Sequence, residues 1–109
     1  MKKTVINGVN YYPHSNGGGL VAETATVSKT AYIGLNAKVC GHAEVFGEAT
    51  VSHHAIISDD AKVYGNAKVY DDARISGNAK VGGNAIISDD AKVYGNAVVT
   101  GNAKVYGHA

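Results

Sequence analysis

The segment Ala61-Lys62-Val63-Tyr64-Gly65-Asn66, with the near copy that follows it, decides the fold of this chain. Its first four residues alternate apolar and polar side chains. This places Ala61 and Val63 on one side of an extended segment and Lys62 and Tyr64 on the other. Gly65 and Asn66 both tolerate the positive φ angles of a sharp corner. Each unit of six residues therefore predicts one short strand followed by one corner.

The same unit recurs without a gap over most of the chain. An alanine stands at every sixth position from Ala25 to Ala109, and a valine or isoleucine follows two residues after each of the first fourteen. One unit cannot bury its own apolar side, so the units must stack and share a core. Three units that close a triangular coil are the natural solution, which gives roughly 4.7 coils. Residues 18 apart in sequence are then expected to lie above one another.

An aliphatic residue followed four places later by a small one, as in Val63…Ala67 and Ile75…Ala79, resembles the hexapeptide-repeat family of left-handed parallel β-helices. The resemblance implies an all-β fold, a left-handed coil and trimeric assembly. This family includes acyltransferases, carbonic-anhydrase-like metalloenzymes and repeat proteins without an assigned activity. The near-uniform A-K-V-Y-G-N unit most resembles the last group, some members of which are associated with phages and prophages.

The first 24 residues break the register, so we expect a cap over residues 1–24 and a β-helix over residues 25–109. Two apolar segments flank Asn7-Gly8, which is a strong signal for a β-hairpin. We expect this hairpin to cover the open N-terminal end of the core, with Gly17-Gly18-Gly19 as a flexible link. An alternative interpretation makes Tyr11, Tyr12 and His14 part of a ligand site beside these glycines.

Composition and charge restrict the cellular context and the partners. The single Cys40 rules out an internal disulfide. No apolar run is long enough for a membrane span, and no signal peptide is recognisable, so we expect a cytoplasmic protein without a membrane partner. The formal net charge is +1, and the lysines are distributed over all three predicted faces. We therefore expect no nucleic-acid partner.

Assembly is predicted from the C-terminal end of the repeat. The chain stops at Ala109 in mid-repeat, and an open solenoid end exposes unpaired strand edges. Either the natural protein continues beyond this residue, or the end stacks against another chain. We expect a homo-oligomer, formed end to end or as the trimer that the resemblance implies, with a separate protein partner as a further option.

The clearest candidate contact surface lies on outward strand positions. Tyr32, Tyr70, Ile86 and Tyr106 share one predicted face, here called the tyrosine face. Tyrosine is favoured on sheet surfaces for β propensity alone, yet tyrosine among lysines also suits a protein–protein contact. We predict that the tyrosine face is the oligomer or partner surface.

The most concentrated set of potential metal ligands lies on one predicted corner. It comprises His53, His54, Asp71, Asp72, Asp89, Asp90 and His108. Stacked carboxylates repel unless they accept hydrogen bonds, remain in water or share a cation. Carboxylates would hold a divalent ion through oxygen, whereas the histidines would favour zinc. The simpler interpretation is that Asp-Asp replaces Gly-Asn as an exposed corner.

Two functions compete on this sequence. The first is a non-enzymatic β-solenoid without a cofactor that binds a protein or assembles with itself. The second is a small acyltransferase or metal-dependent enzyme with a site between subunits near His53, His54 and His108. The extruded loop and helical extension that are usual for acyltransferases of the family are absent from the repeat, so the first function is favoured.

Overall fold

The computed structural model describes residues 3–108 as an all-β solenoid of about five turns, with no helix in that range. The N-terminal strands are β1 (Thr4–Ile6), β2 (Val9–Pro13) and β3 (Leu20–Ala22). The repeat strands are β4 (Thr26–Val27), β5 (Tyr32–Ile33), β6 (Lys38–Val39), β7 (Glu44–Val45), β8 (Thr50–Val51), β9 (Ile56–Ile57), β10 (Lys62–Val63), β11 (Lys68–Val69), β12 (Arg74–Ile75), β13 (Lys80–Val81), β14 (Ile86–Ile87), β15 (Lys92–Val93), β16 (Val98–Val99) and β17 (Lys104–Val105).

These strands form three sheets, one on each side of the coil. Sheet A has the order β1-β2-β3-β6-β9-β12-β15, sheet B the order β16-β13-β10-β7-β4, and sheet C the order β17-β14-β11-β8-β5. Neighbouring repeat strands are parallel and join residues 18 apart, as where Val63 lies between Val45 and Val81. The predicted coil of three units is confirmed.

The core is a stack of alternating alanines and branched aliphatic residues. From Ala31 to Ala91 every alanine of the register is at most 2% exposed, and from Ile33 to Ile87 every Val or Ile two places later is fully buried. No buried polar or charged residue occurs within residues 3–108. Burial of each aliphatic side chain contributes about 1.5–3 kcal/mol, and the backbone ladder between coils satisfies the strands that carry them.

The corners depend on one residue in the left-handed region. From Gly41 to Gly107 the first of the two corner residues has a φ angle between +56° and +71°. The second corner residue, such as Asn66, does not have a positive φ. Both residues of such a corner tolerate positive φ, but only the first adopts it. One left-handed residue is enough to turn the chain between two sheets.

The predicted hairpin is present, and its strands extend sheet A beyond the coils. Strand β1 pairs antiparallel with β2, and β2 pairs antiparallel with β3, where Tyr11 faces Ala22. Strand β3 already belongs to the stack, because it pairs in parallel with β6. The hairpin therefore caps the edge of sheet A and does not lie across the whole end of the core. In the part of the chain that the structure describes, no helix could cross a membrane.

A single aromatic side chain anchors this hairpin to the coils. Tyr11 is only 7% exposed, and its hydroxyl neighbours the half-buried thiol of Cys40. Burial and then the neighbouring thiol raise the pKa of Tyr11 above its ordinary value of 10.0. Burial likewise raises the pKa of Cys40 above 9.0, although a hydrogen bond with the Tyr11 hydroxyl and the positive charge of Lys38 partly offset the rise. Both groups are thus held in their neutral forms.

We expect Ala67→Leu to lower the free energy of unfolding by about 1–3 kcal/mol, because the fully buried Ala67 leaves no room for a larger side chain. Ala103→Leu is the matched control. Ala103 lies in the same column two coils further on, where it is exposed. Thermal unfolding followed by circular dichroism measures both. Equal losses of stability in the two variants would contradict the assignment of the alanines to the interior.

Alkaline pH should weaken the attachment of the hairpin. Since folding raises the pKa values of Tyr11 and Cys40, their contribution to stability is complete below about pH 9 and declines as the pH rises through the folded-state values. The double variant Tyr11→Phe/Cys40→Ala cannot ionise at these positions. We therefore expect a shallower loss of melting temperature above pH 9 in this variant. If melting temperature falls with pH equally in wild type and in this variant, ionisation of Tyr11 and Cys40 does not affect stability.

Candidate functional site

Chemistry on this molecule has to use the outer surface, because the described interior holds only apolar side chains. Three kinds of outward position exist in each unit. They are the first residue of the strand, the residue just after the strand, and the two corner residues. The 18-residue register arranges each kind in columns, so that side chains from successive coils meet about 4.8 Å apart.

The predicted metal residues do occupy one corner, between sheets C and A, but they divide into two rows. First-corner residues form a hydrogen-bonded row. His53 Nδ1 lies 3.1 Å from Asp71 Oδ1, and Asp71 Oδ2 accepts the Asp89 N–H at 3.1 Å. Asp89 Oδ2 in turn accepts the Gly107 N–H at 3.0 Å. These carboxylates therefore cap backbone amides of the following coil.

The same capping occurs on the corner between sheets A and B, where no first-corner residue is a histidine. Asp59 has a φ of +58°, and its Oδ2 accepts the Gly77 N–H at 3.0 Å. Asp71 and Asp89 adopt φ values of +60° and +58°. An aspartate at the first corner position thus serves two structural purposes, because it tolerates the left-handed backbone and accepts an amide proton. This geometry favours the structural interpretation of the acidic corner.

Second-corner residues line a groove of about 690 Å³ beside sheet A. Its walls are formed by Asn36, His54, Asp72, Asp90 and His108 on the corner and by Lys38, Ile56, Arg74 and Lys92 on the strands. Asp90 Oδ2 lies 3.3 Å from His108 Nδ1. The groove is polar and mixed in charge.

The structure does not gather these side chains into a coordination shell. Within residues 3–108, no group of three or more His, Cys, Asp or Glu side chains is placed to hold a metal ion. The first-corner carboxylates accept backbone N–H groups of the next coil, whereas the second-corner side chains face the groove. Metal binding at this corner stays a prediction, which elemental analysis of the purified protein can check.

The residues of the tyrosine face all lie on or beside sheet C. Tyr32 and Ile86 occupy the outward strand positions of β5 and β14, whereas Tyr70 and Tyr106 directly follow β11 and β17. Since the sheet order is β17-β14-β11-β8-β5, Tyr70, Ile86 and Tyr106 come from three neighbouring strands. These three residues form a patch on one face that polar residues interrupt. Ser88 lies between Tyr70 and Tyr106 in their column, and Ile86 lies in the adjacent column between Lys68 and Lys104.

Tyr32 lies apart from this patch. The outward positions between Tyr32 and Ile86 hold Thr50 and Lys68. The ring of Tyr32 also approaches the Gly17 backbone of the N-terminal region, with its Cε1 only 3.1 Å from the position that a Gly17 Cβ would occupy. Tyr32 is 40% exposed, compared with 65% for Tyr106. It thus contacts the cap as well as solvent.

Two aromatic residues that the register places on one face stack beside sheet B. The rings of Phe46 and Tyr64 stack with centroids 5.7 Å apart and an interplanar angle of 15°. The Tyr64 ring continues over Gly82, where a Cβ would fall 2.1 Å from its Cε2. Phe46, Tyr64 and Gly82 are spaced by 18 residues, so the column could have been read from the register. The side-chain stacking could not.

The alternative ligand site at the N-terminal end is also divided. Tyr11 turns toward Cys40, whereas Tyr12 and His14 line a cleft of about 320 Å³. His14 Nε2 lies 2.9 Å from the Ala31 carbonyl oxygen, so this imidazole holds the loop against the first coil. These residues do not converge on a reaction centre.

A family model described as YdcK Beta solenoid repeat matches residues 91–107. Comparison with curated proteins and with solved structures gave no match. The match covers one coil of the stack and agrees with the architecture of the whole repeat. Together the match and the coil geometry support a β-solenoid repeat protein that serves as a structural repeat module.

Asp71→Ala should lower stability by about 1–3 kcal/mol, because it removes an amide acceptor and places alanine at a φ of +60°. Asp71→Asn keeps both properties and should stay close to wild type. Asp59→Ala is the matched change on the other corner, and its loss should be similar. Thermal melts with and without zinc provide the measurement. A zinc-dependent rise in melting temperature that only Asp71→Ala abolishes would support the metal site instead.

Proposed function

We propose that this chain is a non-enzymatic structural module that associates through its tyrosine face with a protein surface, a second copy of the chain being the first candidate. The observation that carries the proposal is the placement of Tyr70, Ile86 and Tyr106 on one face, on or beside three neighbouring strands. The uninterrupted coil supports it, because the solenoid offers three sheet faces and a polar groove beside sheet A, whereas an enzyme would need convergent groups.

The chemistry of the patch suits a protein contact. Tyr106 is 65% exposed, and Tyr70 and Ile86 are half-buried, so all three retain surface that a partner could cover. Tyrosine is enriched in interfaces because it combines apolar area with a hydrogen-bonding hydroxyl. Lys68 and Lys104 alternate with Ile86 along the sheet and would form a polar rim around it.

The dimensions of the molecule are compatible with a stable interface. The solenoid measures 36 × 25 × 19 Å along its principal axes. A long side of this body offers an area of the order that a standard interface covers, about 800 Å² per partner. The trimer and the phage association that the hexapeptide-repeat resemblance implies belong to this proposal as predictions. Light scattering distinguishes a trimer from a dimer.

The double variant Tyr70→Asp/Ile86→Asp should reduce self-association, because two carboxylates in an apolar contact lack partners and carry a desolvation cost. We expect wild type to scatter as a multiple of 11.2 kDa at high concentration and the variant to approach the single-chain mass. Multi-angle light scattering after size exclusion, over a series of concentrations, provides the measurement.

Ile56→Asp/Tyr94→Asp is the matched control on sheet A, since Ile56 occupies the same strand position and Tyr94 directly follows a strand there. This control should keep the wild-type mass. Equal masses for wild type and Tyr70→Asp/Ile86→Asp would reject the tyrosine face as the contact. A stoichiometric zinc content or micromolar binding of acetyl-CoA would favour the enzymatic alternative.

A further inference from the structure

The N-terminal end of the solenoid presents three strand edges, and the chain itself covers two of them. The edge of β3 in sheet A is paired by β2. The edge of β5 in sheet C is covered by the loop that precedes β3. There the Ile33 N–H donates to the Asn16 carbonyl at 3.0 Å, and the Ile33 carbonyl accepts the Gly19 N–H at 2.9 Å. The backbone of β2 and of the loop therefore forms hydrogen bonds with both of these strand edges.

The third edge belongs to β4, the last strand of sheet B. Thr26 and Ser28 donate their N–H groups to Ala43 and Val45 of the next coil, at 3.0 and 2.8 Å. Because alternate residues of a parallel strand bond to opposite neighbours, the N–H and C=O of Val27 point away from that coil. Among residues 3–108 no strand pairs with this edge. Such an edge is a template for another strand.

A cleft of about 320 Å³ adjoins the β4 edge. Val21, Ala25 and Val27, which are half-buried members of the core register, supply apolar surface to its lining. Tyr12, Pro13 and His14 from the hairpin and loop contribute to the same cleft. The unpaired backbone therefore lies beside an apolar recess that could receive a side chain.

We propose that the β4 edge and its cleft form a docking site for one extended segment of a partner protein, which adds as a strand to sheet B and places an apolar side chain over Val21, Ala25 and Val27. The inference goes beyond the proposed function, because this site lies at the end of the coil and not on the tyrosine face. Strand addition gains affinity from main-chain hydrogen bonds and specificity from such a recess.

The covered neighbours indicate what kind of occupant fits. Both are satisfied by backbone, with N···O distances of 2.9–3.0 Å at Ile33. A complete coil of a second copy does not fit, because β2 and the loop at residues 14–19 already occupy the adjoining edges. A single strand meets no such obstruction. Glu23 and Lys29 also line the cleft, which favours a segment that carries charges of both signs beside its apolar residue.

Amide hydrogen exchange of the wild-type protein tests the open edge directly. The amide of Val27 should exchange at least about tenfold faster than that of Ile33, which donates to Asn16. Equal protection of the two amides would overturn the proposal. Protection of Val27 that grows with protein concentration would overturn it as well, since a second copy would then occupy the edge.

A defined peptide tests docking. The probe is the synthetic peptide Lys-Ala-Val-Val-Thr-Glu, which keeps the sequence of residues 97–100 around β16 of the same sheet and carries one side-chain charge of each sign. At millimolar concentration it should shift the amide resonances of Val27 and Ala25 and slow the exchange of Val27. The same peptide N-methylated at alternate amides keeps its side chains but loses strand donors, and it should have no effect. Equal effects of the two peptides, or shifts confined to other sheets, would reject strand addition.

The variant Val27→Pro removes the N–H at the edge, where proline is tolerated in sheets. It should abolish the peptide-induced shifts while the exchange protection of the distant Val69 stays within about twofold of wild type. Retained peptide binding in this variant would contradict the assigned hydrogen bond. If Val27→Pro does not fold, the two wild-type measurements decide the question. Because neither measurement involves Tyr70 or Ile86, failure here leaves the tyrosine-face proposal to its own test.

Discussion

Backbone hydrogen bonds between coils, repeated at an interval of 18 residues, are the constraint on which the rest of the structure depends. Each strand is only two residues long in the repeat, so no strand is stable by itself. The ladder holds only if every coil has the same length. This requirement explains why the alanine register runs without an insertion and why residues such as Val45, Val63 and Val81 meet in the core. The free energy of unfolding is then approximately the sum of the contributions of the coils and of the contacts between neighbouring coils.

The same constraint confines variation to the outside and explains how the corners behave. A first corner residue must adopt positive φ, so the chain uses glycine at Gly65 and aspartate at Asp71. Glycine meets this need through its lack of a Cβ, whereas aspartate also accepts an amide proton from the next coil. An acidic column can therefore arise from backbone requirements alone. The carboxylates of this column are therefore weak evidence for a metal site.

The sequence predicted much of the fold and less of the candidate sites. Periodicity was sufficient for the coil length, the inward alanines and the membership of each column, because all three follow from one register. It also placed Tyr70, Ile86 and Tyr106 on one sheet. Periodicity says nothing about side-chain direction within a column, so the stacking of Phe46 on Tyr64 required coordinates. The contacts of the first 24 residues were unpredictable in detail, since they break the register and depend on a loop that folds back onto the first coil.

The position of the open edge follows from how this cap is built. A stack of coils needs a cover at each edge of its first turn, yet a hairpin can pair with only one sheet, and the short loop from His14 to Gly19 reaches only one more. Strand β4 is consequently held from one side, and Val27 keeps part of its surface exposed. Full closure would require a further strand and would stabilise the first coil. A docked segment would supply the same hydrogen bonds. The unpaired N–H and C=O of Val27 are therefore available to bind it, and binding would stabilise the fold. The first coil can therefore gain stability from a partner strand at sheet B, the one sheet that the hairpin and the loop leave uncovered.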